Sequence, residues 1–142
     1  MACPFFVPTQ RADDIAFPHP ARLPLGAAWR GLCSAPSHEQ AQPSNQELGS
    51  CNLGYAKSCP RLPKERSCDA VRFAVANDSG GKISLHCVLE SEYLPAGHSV
   101  LEYDPLVKNW ITAHPEPRVQ KLAECFLQSY LDRRNGRRTP SA

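Results

Sequence analysis

The sequence predicts an α+β domain: a three-stranded antiparallel meander packed by a C-terminal helix, with a proline-rich irregular N-terminal layer held by a four-cysteine site. Three observations point there. Apolar residues alternate with a period of two through residues 69–104, and they recur with a helical period from Val119 to Leu131. The front of the chain is dense in proline and cysteine.

Pro4, Pro8, Pro18, Pro20, Pro24, Pro36 and Pro43 each fix a backbone angle and remove a donor, so residues 1–43 read as irregular. The same stretch holds Phe5, Phe6, Val7, Ile15, Phe17, Leu23, Leu25, Trp29 and Leu32, more apolar content than a solvated linker carries. Something must order it. Ser44-Asn-Gln-Glu47 is a capping box that opens a short helix, on which Leu48, Cys51, Asn52 and Tyr55 share a face.

Val71, Phe73 and Val75 alternate on a first strand, and Asp78-Ser-Gly-Gly-Lys82 supplies the left-handed positions of a tight hairpin loop. The second strand, Ile83 to Glu90, aligns Ile83, Leu85, Cys87 and Leu89. A third, Ser99 to Asp104, follows a Pro95-Ala-Gly97 turn. The closing helix carries Val119, Leu122, Ala123, Phe126, Leu127, Tyr130 and Leu131 on one stripe, with Pro117 in its first turn and Arg133 and Arg134 at its dipole-negative end. The whole reads as one domain over 1–142: a Cys/Pro-rich layer (1–68), the strands and helix (69–132), and a basic flexible tail (133–142).

With 42% hydrophobic and 21% charged residues and a net charge of +2, the chain has neither the composition of a disordered tail nor a charge that attracts nucleic acid or membranes at long range. No stretch approaches the roughly 20 apolar residues that span a bilayer. The N-terminus lacks a secretory signal, which places the chain in the reducing cytoplasm, where thiols serve as metal ligands, catalytic groups or small core residues.

Of the seven cysteines, Cys87 and Cys125 fall on apolar faces and read as core. Cys3, Cys33, Cys51 and Cys59 lie outside the strong strand and helix patterns and are the candidate metal ligands. A long segment rich in proline and aromatics needs a crosslink to offset its ordering entropy, and four thiolates on one centre provide it. The absence of a Cys-x2-4-Cys knuckle disfavours zinc, and the Cys3-Pro4 and Cys59-Pro60 pairs are like the terminal Cys-Pro of bacterial ferredoxin runs. An iron-sulfur cluster of the 4Fe-4S type is therefore the favoured cofactor, used for electron transfer, redox sensing or structure. Structural zinc is the alternative, and ordinary reduced core cysteines are the reading without a metal. Cys68, His19 or His38 could replace one ligand. Phe5, Phe6, Phe17, Trp29 and Tyr55 could exclude water from the centre, and Arg22, Arg30, Arg61 and Arg66 could balance its charge.

No nucleophile motif surrounds His86, His98 or His114, and Gly80-Gly81 is a hairpin turn and not a phosphate loop, so no catalytic signature is present. The partner expected of a cluster is a protein redox partner. The competing classes are a metal-free interaction module whose front segment orders on contact, and a nucleic-acid accessory protein acting through Arg133, Arg134, Arg137 and Arg138.

Cys3-Pro-Phe-Phe6, Phe17-Pro-His-Pro-Ala-Arg-Leu-Pro-Leu-Gly26, Cys51-Asn-Leu-Gly-Tyr-Ala56, Cys59-Pro-Arg-Leu-Pro63, Leu101-Glu-Tyr-Asp104 and the helix around Cys125 together resemble a family of small bacterial proteins to which no activity attaches. The resemblance implies a bacterial cytoplasmic setting and assigns no residue a role.

Overall fold

The N-terminal layer is built around two strands, β1 (Phe6–Arg11) and β2 (Trp29–Cys33), paired antiparallel with Phe6 opposite Cys33 and Arg11 opposite Trp29. This corrects the expectation of an irregular layer. Pro8 is tolerated because the ladder shifts register between Pro8 and Gln10, and prolines are accommodated at such irregularities. Gly31 is required opposite: a Cβ there would stand 2.0 Å from the Val7 carbonyl oxygen. The computed structural model describes residues 2–14, 23–53, 59, 61, 63–66 and 68–136.

Helix α1 (Asn45–Leu53) follows the capping box as read from the sequence. The Ser44 N–H donates to Glu47 Oε1 (2.8 Å) and the Glu47 N–H to Ser44 Oγ (3.2 Å). Tyr55 lies outside the described residues.

The sheet has four strands, not three, in the order β3 (Ala70–Ser79), β4 (Lys82–Ser91), β5 (Leu94–Asp104), β6 (Asn109–Thr112). Gly80 and Gly81 take the positive φ angles (69° and 83°) that the β3–β4 hairpin requires. The next turn sits at Glu92 and Tyr93, both at positive φ, so β5 starts earlier than expected and absorbs Pro95–Gly97. Strand β6 escaped the sequence because its burial is slight: Ile111 is exposed, and the Trp110 ring packs edge-on against Tyr103 at 5.2 Å. Little alternation survives on such an edge strand.

Helix α2 (Pro117–Gly136) buries Val119, Leu122, Ala123 and Leu127 as its stripe predicts, and Cys125 and Ser129 widen that stripe. It lies on the sheet, with Phe126 against Phe73 at 5.6 Å, and also clasps the N-terminal layer: Arg11 pairs with Asp132 (2.8 Å), and Arg133 donates to the Gly26 carbonyl (2.7 Å). Arg133 and Arg134 therefore belong to the helix and not to a flexible tail, with Arg134 paired to Asp78; Arg137 and Arg138 lie outside the described residues. Ala2, Phe6, Leu25, Trp29 and Leu48 from the front share one core with Val71, Ile83, Leu85, Leu101 and Leu122. Among the described residues no helix is long and apolar enough to cross a membrane.

Candidate functional site

The four candidate cysteines come from four separate segments that the fold draws to one side. Cys3 opens a tight turn, closed by the Phe6 N–H on the Cys3 carbonyl (3.1 Å). Pro4 occupies the turn's second position, where its fixed φ is favourable, which explains the Cys-Pro pair locally. The Phe5 and Phe6 backbone N–H groups favour the ionised form of the Cys3 thiol. Ala2, just before it, is bridged to Val71 of β3 in both directions (2.7 and 2.8 Å), which anchors this turn to the sheet edge.

Cys33 ends β2. Its backbone is bridged to Ala41 and Gln40, and its Sγ accepts the Ala35 N–H at 3.4 Å. Cys33 pairs with Phe6, and Ser34 bonds the Phe5 carbonyl through both its backbone N–H (2.7 Å) and its hydroxyl (2.8 Å), so the Cys3 turn and the end of β2 form one unit. Cys51 stands in the last turn of α1 and accepts the Cys3 N–H at its carbonyl (3.1 Å). Cys59 is half-buried, and its charge is felt at both Cys3 and Cys51.

These thiols are coupled. Burial pushes Cys3 up to about 11, against the pull of the Phe5 N–H, and the charges of Cys33 and Cys59 add to the rise. Burial likewise pushes Cys51 up to about 12, reinforced by Cys3, Cys33, Cys59 and the Glu47 carboxylate. Such coupling extends well past the about 3.8 Å that separates two sulfurs on one tetrahedral zinc. Among the described residues no three His, Cys, Asp or Glu side chains are so arranged that they could hold a metal ion as they stand. The four thiols are thus electrostatic neighbours and not a closed coordination shell.

The surroundings are part apolar and part ion-paired. Phe5, Phe6 and Trp29 are buried beside the cysteines, while Phe17 and Tyr55 lie outside the described residues. Arg118, from the first turn of α2, stacks over Phe5 (4.9 Å) and donates to the Ser34 carbonyl (3.4 Å). Arg30, Arg61 and Arg66 are bound to Asp14, Glu47 and Asp69, so their charges are already matched by carboxylates; Arg22 is outside the described residues. A cavity of about 320 Å³ opens beside the Cys3 turn, lined by Pro4, Phe5, Arg66, Cys68, His114 and Arg118 among others.

Cys68 is buried and within electrostatic reach of Cys87 in β4, and burial pushes Cys87 up to about 12 and Cys125 up to about 11, as expected of core thiols. His38 is exposed in a turn, and His19 lies outside the described residues. His114 caps the start of α2, its Nδ1 accepting the Glu116 N–H (3.0 Å). His98 stands on β5 against His86.

Asn52, read from the sequence only as one of the residues on the α1 face, sets the position of Cys51. Its side chain is buried and forms hydrogen bonds with the Trp29 N–H and the carbonyls of Trp29 and Leu48. The signal available in the sequence was a polar side chain on the apolar face of a short helix, which folded proteins keep only when it is satisfied.

No protein-family model matches the chain, and no curated protein or solved structure shows significant similarity to it.

Proposed function

We propose that Cys3, Cys33, Cys51 and Cys59 hold a metal centre that staples the N-terminal layer, with a four-iron, four-sulfide cluster as the favoured occupant and structural zinc as the alternative. The observation that carries this reading is that Cys3 and Cys51, joined by a 3.1 Å backbone hydrogen bond, both feel Cys33 and Cys59, so that a turn, a strand end, a helix and a loop bring their thiols within electrostatic reach. Unrelated core cysteines have no reason to meet. Thiolates crowded together repel one another without a cation and become good ligands with one, since a metal reverses the sign of their interaction.

Two further features support the cluster. The Ala35 N–H already points at Cys33, and the Phe5 and Phe6 N–H groups favour the Cys3 thiolate; such donors tune the potential of a cluster. The segments bring one cysteine each, without the paired knuckle of structural zinc sites. Ligation requires the thiols to turn onto the centre, and the free energy of capture, about 10–16 kcal/mol for structural zinc, is ample for such rotations. A centre of this kind would transfer or sense electrons, or only maintain architecture, in a reducing cytoplasm.

The test is anaerobic purification with metal and sulfide analysis. A brown protein with about four irons and four sulfides per chain is the expected result. A colourless protein with one zinc assigns the site to the alternative. Protein made anaerobically that holds neither metal, and whose Cys33→Ser and Cys51→Ser variants fold unchanged, overturns the metal reading in favour of a metal-free interaction module.

A further inference from the structure

The outer face of the four-stranded sheet carries two histidines in direct contact. The β4–β5 register places His86 opposite Val100 and His98 opposite Val88, which makes the two imidazoles diagonal neighbours across the strands. His86 Nδ1 and His98 Nε2 are 2.8 Å apart, and the ring centroids are 4.9 Å apart with the planes tilted by 35°. Both residues are exposed. Ala74 and Val100 flank His86 and Val88 faces His98, so the strands on either side present apolar groups at these register positions.

We propose that His86 and His98 form a two-nitrogen chelate for a divalent cation of the copper class, Cu2+ or Ni2+, separate from the cysteine group. The two nitrogens stand at the length of an N–H···N hydrogen bond, 2.8 Å, so both rings of this exposed pair can turn their lone pairs onto one cation about 2.0 Å from each. Imidazole is also a preferred ligand of these cations, and Cu2+ heads the affinity order of the divalent series.

In the metal-free pair one ring nitrogen donates its proton to the other. Binding needs both lone pairs, so the donor ring shifts its proton to its far nitrogen through solvent. The cation's remaining positions face solvent and take water or a ligand supplied by another molecule.

The test is titration of the full chain, carrying whatever metal its cysteines hold, with Ni2+ by calorimetry and with one equivalent of Cu2+ by electron paramagnetic resonance. Wild type is expected to show hyperfine coupling to two nitrogens, which distinguishes imidazole from thiolate ligation. Both His86→Asn and His98→Asn should weaken Ni2+ binding roughly tenfold or more, because the second nitrogen of a chelate binds intramolecularly. Val100→Thr, beside the pair, should bind as wild type, and unchanged unfolding midpoints in all three variants tie the loss to the ligands. Wild-type affinity in either histidine variant, or a Cu2+ spectrum lacking two nitrogens, overturns the proposal.

Discussion

Asn52 acts toward Trp29 as one more strand would: its Oδ1 accepts the Trp29 N–H at 3.0 Å and its Nδ2 donates to the Trp29 carbonyl at 3.0 Å. The same Nδ2 reaches the Leu48 carbonyl at 2.9 Å, so one amide joins α1 to β2 and places Cys51 beside the strand that ends in Cys33. Asn52→Ala would strip the partners from buried backbone groups, each costing about 1–3 kcal/mol when left unpaired. A loss of about 3 kcal/mol in urea unfolding is expected. Asn52→Asp keeps the acceptor but turns an oxygen toward the two carbonyls, and it should fare no better.

The raised thiols of Cys3 and Cys51 set the pH dependence of the metal-free protein. Their folded values, about 11 and about 12, lie above the ordinary thiol value of 9.0. A raised value means the folded state favours the protonated thiol, so this contribution is full below pH 9 and is lost as pH rises through the folded values. Metal-free protein should thus lose stability progressively from about pH 9 upward, read as a falling Tm. Metal-loaded protein, with these two groups already ionised and ligated, should keep only the shallower slope that the buried Cys87 and Cys125 contribute. Loading at pH 7.5 should also release protons from both groups, which a pH indicator in weak buffer would record.

Serine substitutions should sort the cysteines into two groups. Cys33→Ser and Cys51→Ser are expected to lose most of the bound metal, and to lower the urea midpoint in the metal-replete protein but not in chelator, because the metal's binding energy is also folding energy. Cys87→Ser buries a hydroxyl in the strand core, where Cys87 is 1% exposed, and should cost about 2 kcal/mol whether or not metal is present. Its metal content should match wild type. Equal behaviour of Cys51→Ser and Cys87→Ser in chelator and in metal would reduce all the cysteines to core residues.

Local chemistry was legible where one short pattern decides the outcome. The Ser44/Glu47 box, the Gly80-Gly81 turn and the α2 stripe each depend on residues a few positions apart, and each appears as read. The β1–β2 pair was not legible, because prolines at 4, 8, 18, 20 and 24 argue locally against strands while the pairing joins residues far apart in sequence, as Phe6 with Cys33. Strand β6 is short and mostly exposed, so burial wrote no alternation into it. At the candidate site the cysteines could be chosen by excluding those on apolar faces. What brings them together could not be read, since the contacts that do so run through backbone, from Cys3 to Cys51 and from Phe5 to Ser34. Backbone groups are the same in every residue and leave no mark in sequence.

The far end of α2 offers the last test. Asp78, at the end of β3, accepts hydrogen bonds from the Tyr130 hydroxyl and the Arg134 guanidinium, and these hold its carboxyl below the usual range, the tyrosine more strongly. The bond to Asp78 in turn raises the Tyr130 hydroxyl, against the pull of Arg134. A depressed carboxyl contributes stability that is present above its unfolded value of 3.8 and is lost as pH falls through the folded value. Asp78→Asn should therefore be less stable than wild type at pH 7, by about 1 kcal/mol or less given the exposure of the pair. The gap should narrow as wild type is acidified below pH 3.8 and its own carboxyl is neutralised. Urea unfolding at pH 7 and at successively lower pH measures both quantities. A gap that stays constant across that range would show that the charge on Asp78 contributes nothing to holding the helix end on the hairpin.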